Sequence, residues 1–217
     1  MSAADWEAQL RRVLPEAFRP GLVLYIGITP KRQLLLPALA RAGCTVDVLE
    51  IHEPNIEAVR AANRWGIRHF YQGDIASFCP GRWWDTVIWW HGPEHLEPER
   101  VAHALGNCDR MARRLAVAGA HYGRCPNAAF GGNPYEEHRW DVHEAPFSKA
   151  GWSVDIEAGE KETHLVAWWD GRPGLAPIRT PQLDALSPPT TPPPPTTPPP
   201  AITTPEPTAP VPAAEVV

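Results

Sequence analysis

Residues 21–50, GLVLYIGITPKRQLLLPALARAGCTVDVLE, decide the fold. The apolar run Leu22–Ile26 reads as a buried strand and Gly27 as a turn. Residues 34–42 have helical period and stop at Gly43, and residues 45–49 form a second strand closed by Glu50. Such strand–helix–strand units are right-handed and build parallel sheets. Pro37 is tolerated if the helix starts near Leu34, where the first N–H groups lack partners anyway. That leaves residues 27–33 as a loop over the strand tips.

An acid ending the second strand, about twenty residues past a glycine turn, is placed to accept hydrogen bonds from ribose hydroxyls. The plainer reading of Glu50 is a solvated strand-end residue. A dinucleotide fingerprint needs two further glycines, but Ile28, Thr29, Pro30 and Lys31 follow Gly27, so no pyrophosphate seat forms. An adenosine-containing ligand without phosphates fits this turn better.

Downstream, the alternation repeats. Pro54 opens a helix over residues 55–64, followed by a strand at 67–71 and its exit loop Gln72, Gly73, Asp74, Ile75. DTVIWW at 85–90 is apolar after its first residue, as suits a central parallel strand covered on both faces. HGPEHL (91–96) leaves it, and a charged helix over 97–114 leads to a fifth strand at 115–122. Residues 123–141, rich in Gly, Pro and Asn, form a long loop. A short helix (144–150) and a hairpin (152–157 with 163–169) close the domain. The expected fold is α/β: a doubly wound, Rossmann-like sheet, mostly parallel with an antiparallel C-terminal edge hairpin.

Composition sets the outer limits. The chain has 217 residues and 27 prolines, about half of them from Pro181 onward, whereas all ten tryptophans lie earlier. The expected organisation is an N-terminal helix (1–20) packed on the domain, the domain itself (21–170), and a Pro/Thr-rich tail (171–217) unable to form a core. The tail reads as a solvated extension or as a PxxP ligand for a partner that the sequence does not identify. A net charge of −5, with no basic stripe interleaved with aromatics, argues against nucleic acid. No stretch approaches the roughly eighteen apolar residues of a membrane span. Four widely spaced cysteines without a C-x-x-C read as reduced thiols in a cytoplasmic protein.

The pattern of strand ends resembles the class I S-adenosylmethionine-dependent methyltransferases over about residues 21–169. The resemblance rests on four places: the glycine turn LYIGITP, the acid Glu50 in LEIHEPN, Asp74 in QGDI, and the loop His91-Gly92-Pro93-Glu94-His95. It implies S-adenosylmethionine as cofactor, held by Gly27, Ile28, Thr29, Glu50, Ile51, Asp74, Ile75 and Trp90. It also implies transfer of a methyl group to oxygen or nitrogen of a small-molecule acceptor. The chain departs from the family in having Tyr25 where an acid is usual, and Thr29 and Lys31 where glycines are usual. The methionine end of the cofactor would then rest on Lys31, Arg32 or a loop carbonyl. A catalytically silent nucleoside-binding protein of the same fold is the alternative; the missing glycines disfavour a dinucleotide or nucleotide-sugar enzyme.

Ligands of open parallel sheets sit outside the carboxyl ends of the strands. His91, Glu94, His95 and His121 belong there with Glu50 and Asp74. His91 and His95 are the candidate bases and Glu94 an orienting partner, against a reading of Glu94 and His95 as loop-capping residues. Asp74 contacts the adenine side or caps the next turn. H-x-x-E-H offers imidazole and carboxylate ligands to a metal, but none is assigned, and Gly92-Pro93 precludes a zincin helix. Tyr135 and His138 in the long loop either touch the acceptor or close the core with Trp140. Trp90, last in its strand, is expected to border the cofactor pocket.

Overall fold

The computed structural model describes residues 3–30, 35–62, 65–129, 132–158 and 162–171. Lys31 and Arg32, the end of the helix expected to reach residue 64, and the tail from residue 172 lie outside them.

One seven-stranded sheet organises the described residues. Its strands are β1 (Leu22–Ile26), β2 (Thr45–Glu50), β3 (His69–Gln72), β4 (Trp84–Trp90), β5 (Ala112–Tyr122), β6 (Ser153–Ala158) and β7 (Thr163–Asp170). They lie in the order β3-β2-β1-β4-β5-β7-β6. The first five are parallel, and β7 runs antiparallel to both β5 and β6. The expected mostly parallel sheet with an antiparallel C-terminal hairpin is thus present. The second strand of that hairpin is inserted between β5 and β6, so β6 forms the edge.

Helices α1 (Ala3–Val13), α2 (Leu36–Arg41), α3 (Glu53–Ala62), α4 (Pro98–Met111) and α5 (Ala145–Lys149) cover both faces. Alternation along the strands sorts the core into two layers. Leu24, Ile26, Val87, Trp89 and Ala118 pack with Leu105 and Cys108 of α4 and with Phe147 of α5. Val23, Tyr25, Ile88, Trp90 and Val117 pack with Trp6 and Leu10 of α1 and Leu39 of α2. Burial on both faces accounts for the nearly uninterrupted apolar run of β4.

Within residues 21–170, the α4–β5 junction departs most from the sequence expectation, other element ends shifting by one or two residues. The helix expected to run to residue 114 ends at Met111, and β5 starts at Ala112 rather than 115. Ala112 is already extended and pairs with Trp84, and the Arg114 guanidinium donates to Thr86 Oγ1 (2.9 Å). Pairs with β4 at Ala112 and Leu115 bracket the two arginines, and the Gly171 N–H donates to the Arg114 carbonyl (2.8 Å), which draws them into the strand despite their helix propensity, a tertiary override.

Charge is also buried inside the sheet. Asp47 of β2 is inaccessible to solvent and accepts from Arg68 Nε (2.9 Å), Arg68 Nη2 (2.8 Å) and the Trp84 indole N–H (2.9 Å). Burial alone would raise its pKa; the arginine and indole hydrogen bonds hold it below the ordinary aspartate value. The Asp47→Ala variant leaves the Trp84 N–H without a partner and the Arg68 fork without its carboxylate. Urea unfolding should show a loss of about 2–4 kcal/mol.

Candidate functional site

The C-terminal tips of β1, β2, β4 and β5 surround a cleft of about 380 Å³, within the ~300–1,000 Å³ typical of small-molecule sites. Gly27, Ile28, Thr29, Glu50, Ile51, Asp74, Ile75, Trp90, His91, Glu94, His95, Tyr135 and His138 all line it.

On the β1–β2 side, Glu50 is a latch. It is 5% exposed, and it accepts the Ile28 N–H at Oε2 (2.8 Å) and the His52 N–H at Oε1 (2.8 Å). Asn55 Nδ2 adds a bond to the Ile28 carbonyl (2.8 Å), so the turn after β1 is tied at both its N–H and its C=O. Burial raises the Glu50 pKa against the lowering effect of these amide bonds. Gly27 holds φ +85°, and a Cβ there would stand 3.4 Å from the Trp90 carbonyl. Tyr25, where an acid would be usual, is buried and its phenol pKa pushed up by that burial.

Asp74 does two things. Oδ1 accepts the Ala76 N–H (2.9 Å), the turn-capping role anticipated as one alternative, and Oδ2 pairs with Arg100 (2.6 Å). Its carboxylate still borders the cleft.

The β4–β5 side is built from imidazoles. His91 is the one non-glycine residue with positive φ (51°) among the described residues, and its N–H donates to the Gly119 carbonyl (2.8 Å). Such left-handed geometry persists only where surrounding contacts enforce it, and it clusters at functional sites. Here it directs the ring at Glu94: Nδ1 stands 3.2 Å from Oε1. Glu94 is 1% exposed. Burial would raise its pKa, but the His91 hydrogen bond and the charges of His91 and His95 hold it down at about 2. An ionised carboxylate only accepts, so Nδ1 of His91 carries the proton of this bond, and in the neutral ring Nε2 is then the acceptor.

Further rings continue the cluster. His121 lies 4.6 Å from His91, centroid to centroid, 5.9 Å from His138 and 5.2 Å from His164; His95 lies 4.8 Å from His138. Burial, reinforced by neighbouring imidazoles, lowers the pKa of both His121 and His164 to about 4 and lowers that of His138. These rings are therefore neutral near pH 7. Trp6 of α1 backs the cluster, its ring 3.8 Å from His164 and 4.7 Å from His91. The Trp90 indole forms the floor over Gly119, where a Cβ would come within 2.6 Å of the ring.

The 123–142 loop is fastened onto the HGPEH turn. Arg139 N–H donates to the Glu94 carbonyl (2.8 Å), Trp140 Nε1 to the Pro93 carbonyl (2.9 Å), and His95 Nδ1 stands 3.2 Å from the Glu137 carbonyl. His138 thereby joins the imidazoles, and its Nδ1 meets the Cys125 carbonyl. Tyr135 is carried to the opposite end of the cleft, 6.2 Å from His52. The loop thus joins the two readings made of it: Trp140 closes the structure while His138 enters the site.

His164, Glu162 and Asn55 escaped sequence reasoning. His164 pairs directly with His121 across β5 and β7, placing both rings on one face. The register of the closing hairpin was the available signal.

No protein-family model matches the sequence, and none of the curated proteins does. Solved structures share its fold. Magnesium protoporphyrin IX methyltransferase from Synechocystis PCC 6803 with bound SAH matches at 17% identity and TM-score 0.53, over 76% of this chain and 80% of its own. N-methyltransferase NodS from Bradyrhizobium japonicum WM9, in complex with S-adenosyl-l-homocysteine, matches at 17% identity and TM-score 0.58, over 77% and 86%. Burkholderia thailandensis 1,6-didemethyltoxoflavin-N1-methyltransferase, with bound 1,6-didemethyltoxoflavin and S-adenosylhomocysteine, matches at 19% identity and TM-score 0.54, over 74% of each chain. The chain has the fold of the S-adenosylmethionine-dependent methyltransferases.

The latch makes a local prediction. In Glu50→Ala the Ile28 and His52 amides lose their acceptor, so hydrogen exchange at these two positions should accelerate by at least tenfold while exchange in β4 stays unchanged. Unaltered protection at Ile28 would show that the turn holds its shape without the carboxylate.

Proposed function

We propose that this protein is an S-adenosylmethionine-dependent methyltransferase acting on a small-molecule acceptor. One observation carries the reading: in a methyltransferase fold, a single cleft at the strand tips has a buried carboxylate at its β2 end and proton-accepting imidazoles at its β4 end. Solved structures of the same fold hold S-adenosylhomocysteine, and two of those named above are methyltransferases named for a small molecule, a magnesium porphyrin and 1,6-didemethyltoxoflavin.

The residues present fit the cofactor. Each carboxylate oxygen has two lone pairs, so Glu50 can hold its loop amides and still accept from ribose hydroxyls. Gly27 presents bare backbone, Ile51 and Ile75 offer apolar surface to an adenine, and Asp74 stands at that end. Trp90 floors the cleft between the two ends. Ile28 and Thr29 bound the turn side; their backbone takes over the part that glycines play in a longer fingerprint.

When bound, the cofactor supplies a methyl group whose carbon–sulfur bond breaks as a lone pair of the acceptor forms the new bond. The chain's own residues position that lone pair and, for a hydroxyl acceptor, remove its proton. His91, oriented by Glu94, and His95, whose Nδ1 faces the Glu137 carbonyl, each turn Nε2 to this task. His138 and the half-exposed Tyr135 shape the acceptor's entry.

The alternative is a silent nucleoside-binding protein, favoured by the engagement of both Glu50 oxygens with backbone. Calorimetry with S-adenosylmethionine, followed by detection of S-adenosylhomocysteine across a panel of phenols, amines and tetrapyrroles, decides between them. Wild-type protein should bind the cofactor, and Glu50→Ala should weaken it by about 10–100-fold, the worth of one charge-assisted hydrogen bond. The His95→Ala variant should keep the affinity and lose about 100-fold in turnover on a hydroxyl acceptor. Binding without turnover on any acceptor would support the silent protein; no binding would end both readings.

A further inference from the structure

The imidazole end of the cleft holds more ligating groups than one proton transfer needs. Among the described residues, three sets, each of two histidines and one glutamate, bring their ligand atoms within 4.8 Å of one another: His91–Glu94–His121, Glu94–His95–His138 and His121–Glu162–His164. The first set shares Glu94 with the second and His121 with the third, so it lies at the centre of the cluster.

Orphaned polar atoms provide an independent observation. Glu94 is 1% exposed, and its Oε2 is buried with no hydrogen-bond partner. His121 Nδ1 is likewise buried without a hydrogen bond; the Glu162 carboxylate stands 3.3 Å away, out of alignment. Leaving such groups unsatisfied is costly, and a native site that keeps them has a use for them. Both residues line the cleft, so what satisfies them enters from there.

We propose that His91, Glu94 and His121 bind one divalent transition-metal ion, such as Zn²⁺ or Fe²⁺, on the acceptor side of the cleft. Two imidazoles and a carboxylate suit these borderline ions better than Mg²⁺ or Ca²⁺, which prefer an all-oxygen shell. Tetrahedral ligands at ~2.1 Å from the ion lie about 3.4 Å apart, so the two half-buried imidazoles rotate inward on a fixed Glu94. Three protein ligands leave an open position facing the cleft, the arrangement of catalytic rather than structural sites.

This role rests on the methyl-transfer reading. An acceptor hydroxyl bound at the open position gives up its proton more readily, because the ion stabilises the alkoxide or phenolate. With His91 engaged as a ligand, His95 takes that proton, and the oxyanion attacks the methyl carbon of S-adenosylmethionine as its carbon–sulfur bond breaks and S-adenosylhomocysteine leaves. The favoured acceptors are then phenols, catechols or enols.

The test uses the full chain, stripped with a chelator and titrated with Co²⁺ and then Zn²⁺. Uptake is read from the visible bands of bound cobalt and by calorimetry, with S-adenosylmethionine binding measured in parallel. Wild-type protein should take up one Co²⁺ per chain and release it to Zn²⁺. Glu94→Gln, His91→Asn and His121→Asn should each weaken uptake at least tenfold, while the exposed His103→Asn variant binds as wild type. Thermal melts identify any variant that fails to fold, and His91→Asn, altered at the least buried ligand, keeps the question answerable. Absence of cobalt bands in the wild type, or loss confined to a His164→Asn variant, would overturn the assignment. Cofactor binding without metal uptake would end this proposal and leave the methyltransferase reading; metal uptake without cofactor binding would do the reverse.

Discussion

A buried carboxylate with its back to the sheet and its oxygens on two backbone amides governs the site. Glu50 leaves β2 at the point where β1 turns away, and the Ile28 and His52 N–H groups both end on it. In a glycine-rich turn the backbone shapes itself around a ligand because nothing obstructs it. Here, with Ile28 and Thr29 in place of permissive residues, the turn is held from outside, by Glu50 at one peptide and Asn55 at the next. Charge-assisted bonds to amides counter part of the burial of the acid, which still lifts its pKa above the ordinary glutamate value. The cleft owes its β1 wall to that balance.

The opposite wall follows a similar logic. Glu94 sits in the turn after β4, is buried more deeply still, and stays ionised through His91. Its neighbours respond to burial in the other direction: His121 and His164 hold their neutral forms, because a charged ring there would be costly and would face other imidazoles. This wall thus combines one ionised carboxylate with imidazoles, of which His121 and His164 are uncharged acceptors of protons. Trp6 and Trp90 separate this polar cluster from the α1–α2 core.

Much of this was legible in the sequence, and for identifiable reasons. Strand–turn–helix punctuation gave β1 to β4, since Gly27, Gly43 and the DTVIWW run are local signals read without knowledge of partners. The tips of parallel strands are adjacent by topology, so Glu50, Asp74, His91 and Glu94 could be placed in one cleft from their order alone. What escaped was set by pairing. Arg113 and Arg114 have helical preference but lie in β5, because the β4 pairs at Ala112 and Leu115 bracket them and the β7 pairing begins at Leu115. The contact of His164 with His121 depends on hairpin register, and that of His138 with His95 depends on how the 123–142 loop docks. Asp47 went unnoticed because a lone acid in an apolar strand gives no sign of the arginines that neutralise it.

The position of β7 explains why so many rings meet at one end. A hairpin added as a simple edge would have placed its second strand far from the cleft. Because β7 lies against β5, His164 stands beside His121, and His121 is in turn one strand away from the turn that carries His91 and Glu94. Four elements remote in sequence — the β4 exit, the end of β5, the docked loop and the start of β7 — deliver imidazole or carboxylate to one volume. Packing alone gives no reason for polar side chains there: apolar residues would fill the space without orphaned nitrogens and oxygens. The cost of keeping them is borne in stability, and that cost is what the proposed placing of the acceptor at the β4–β5 end accounts for.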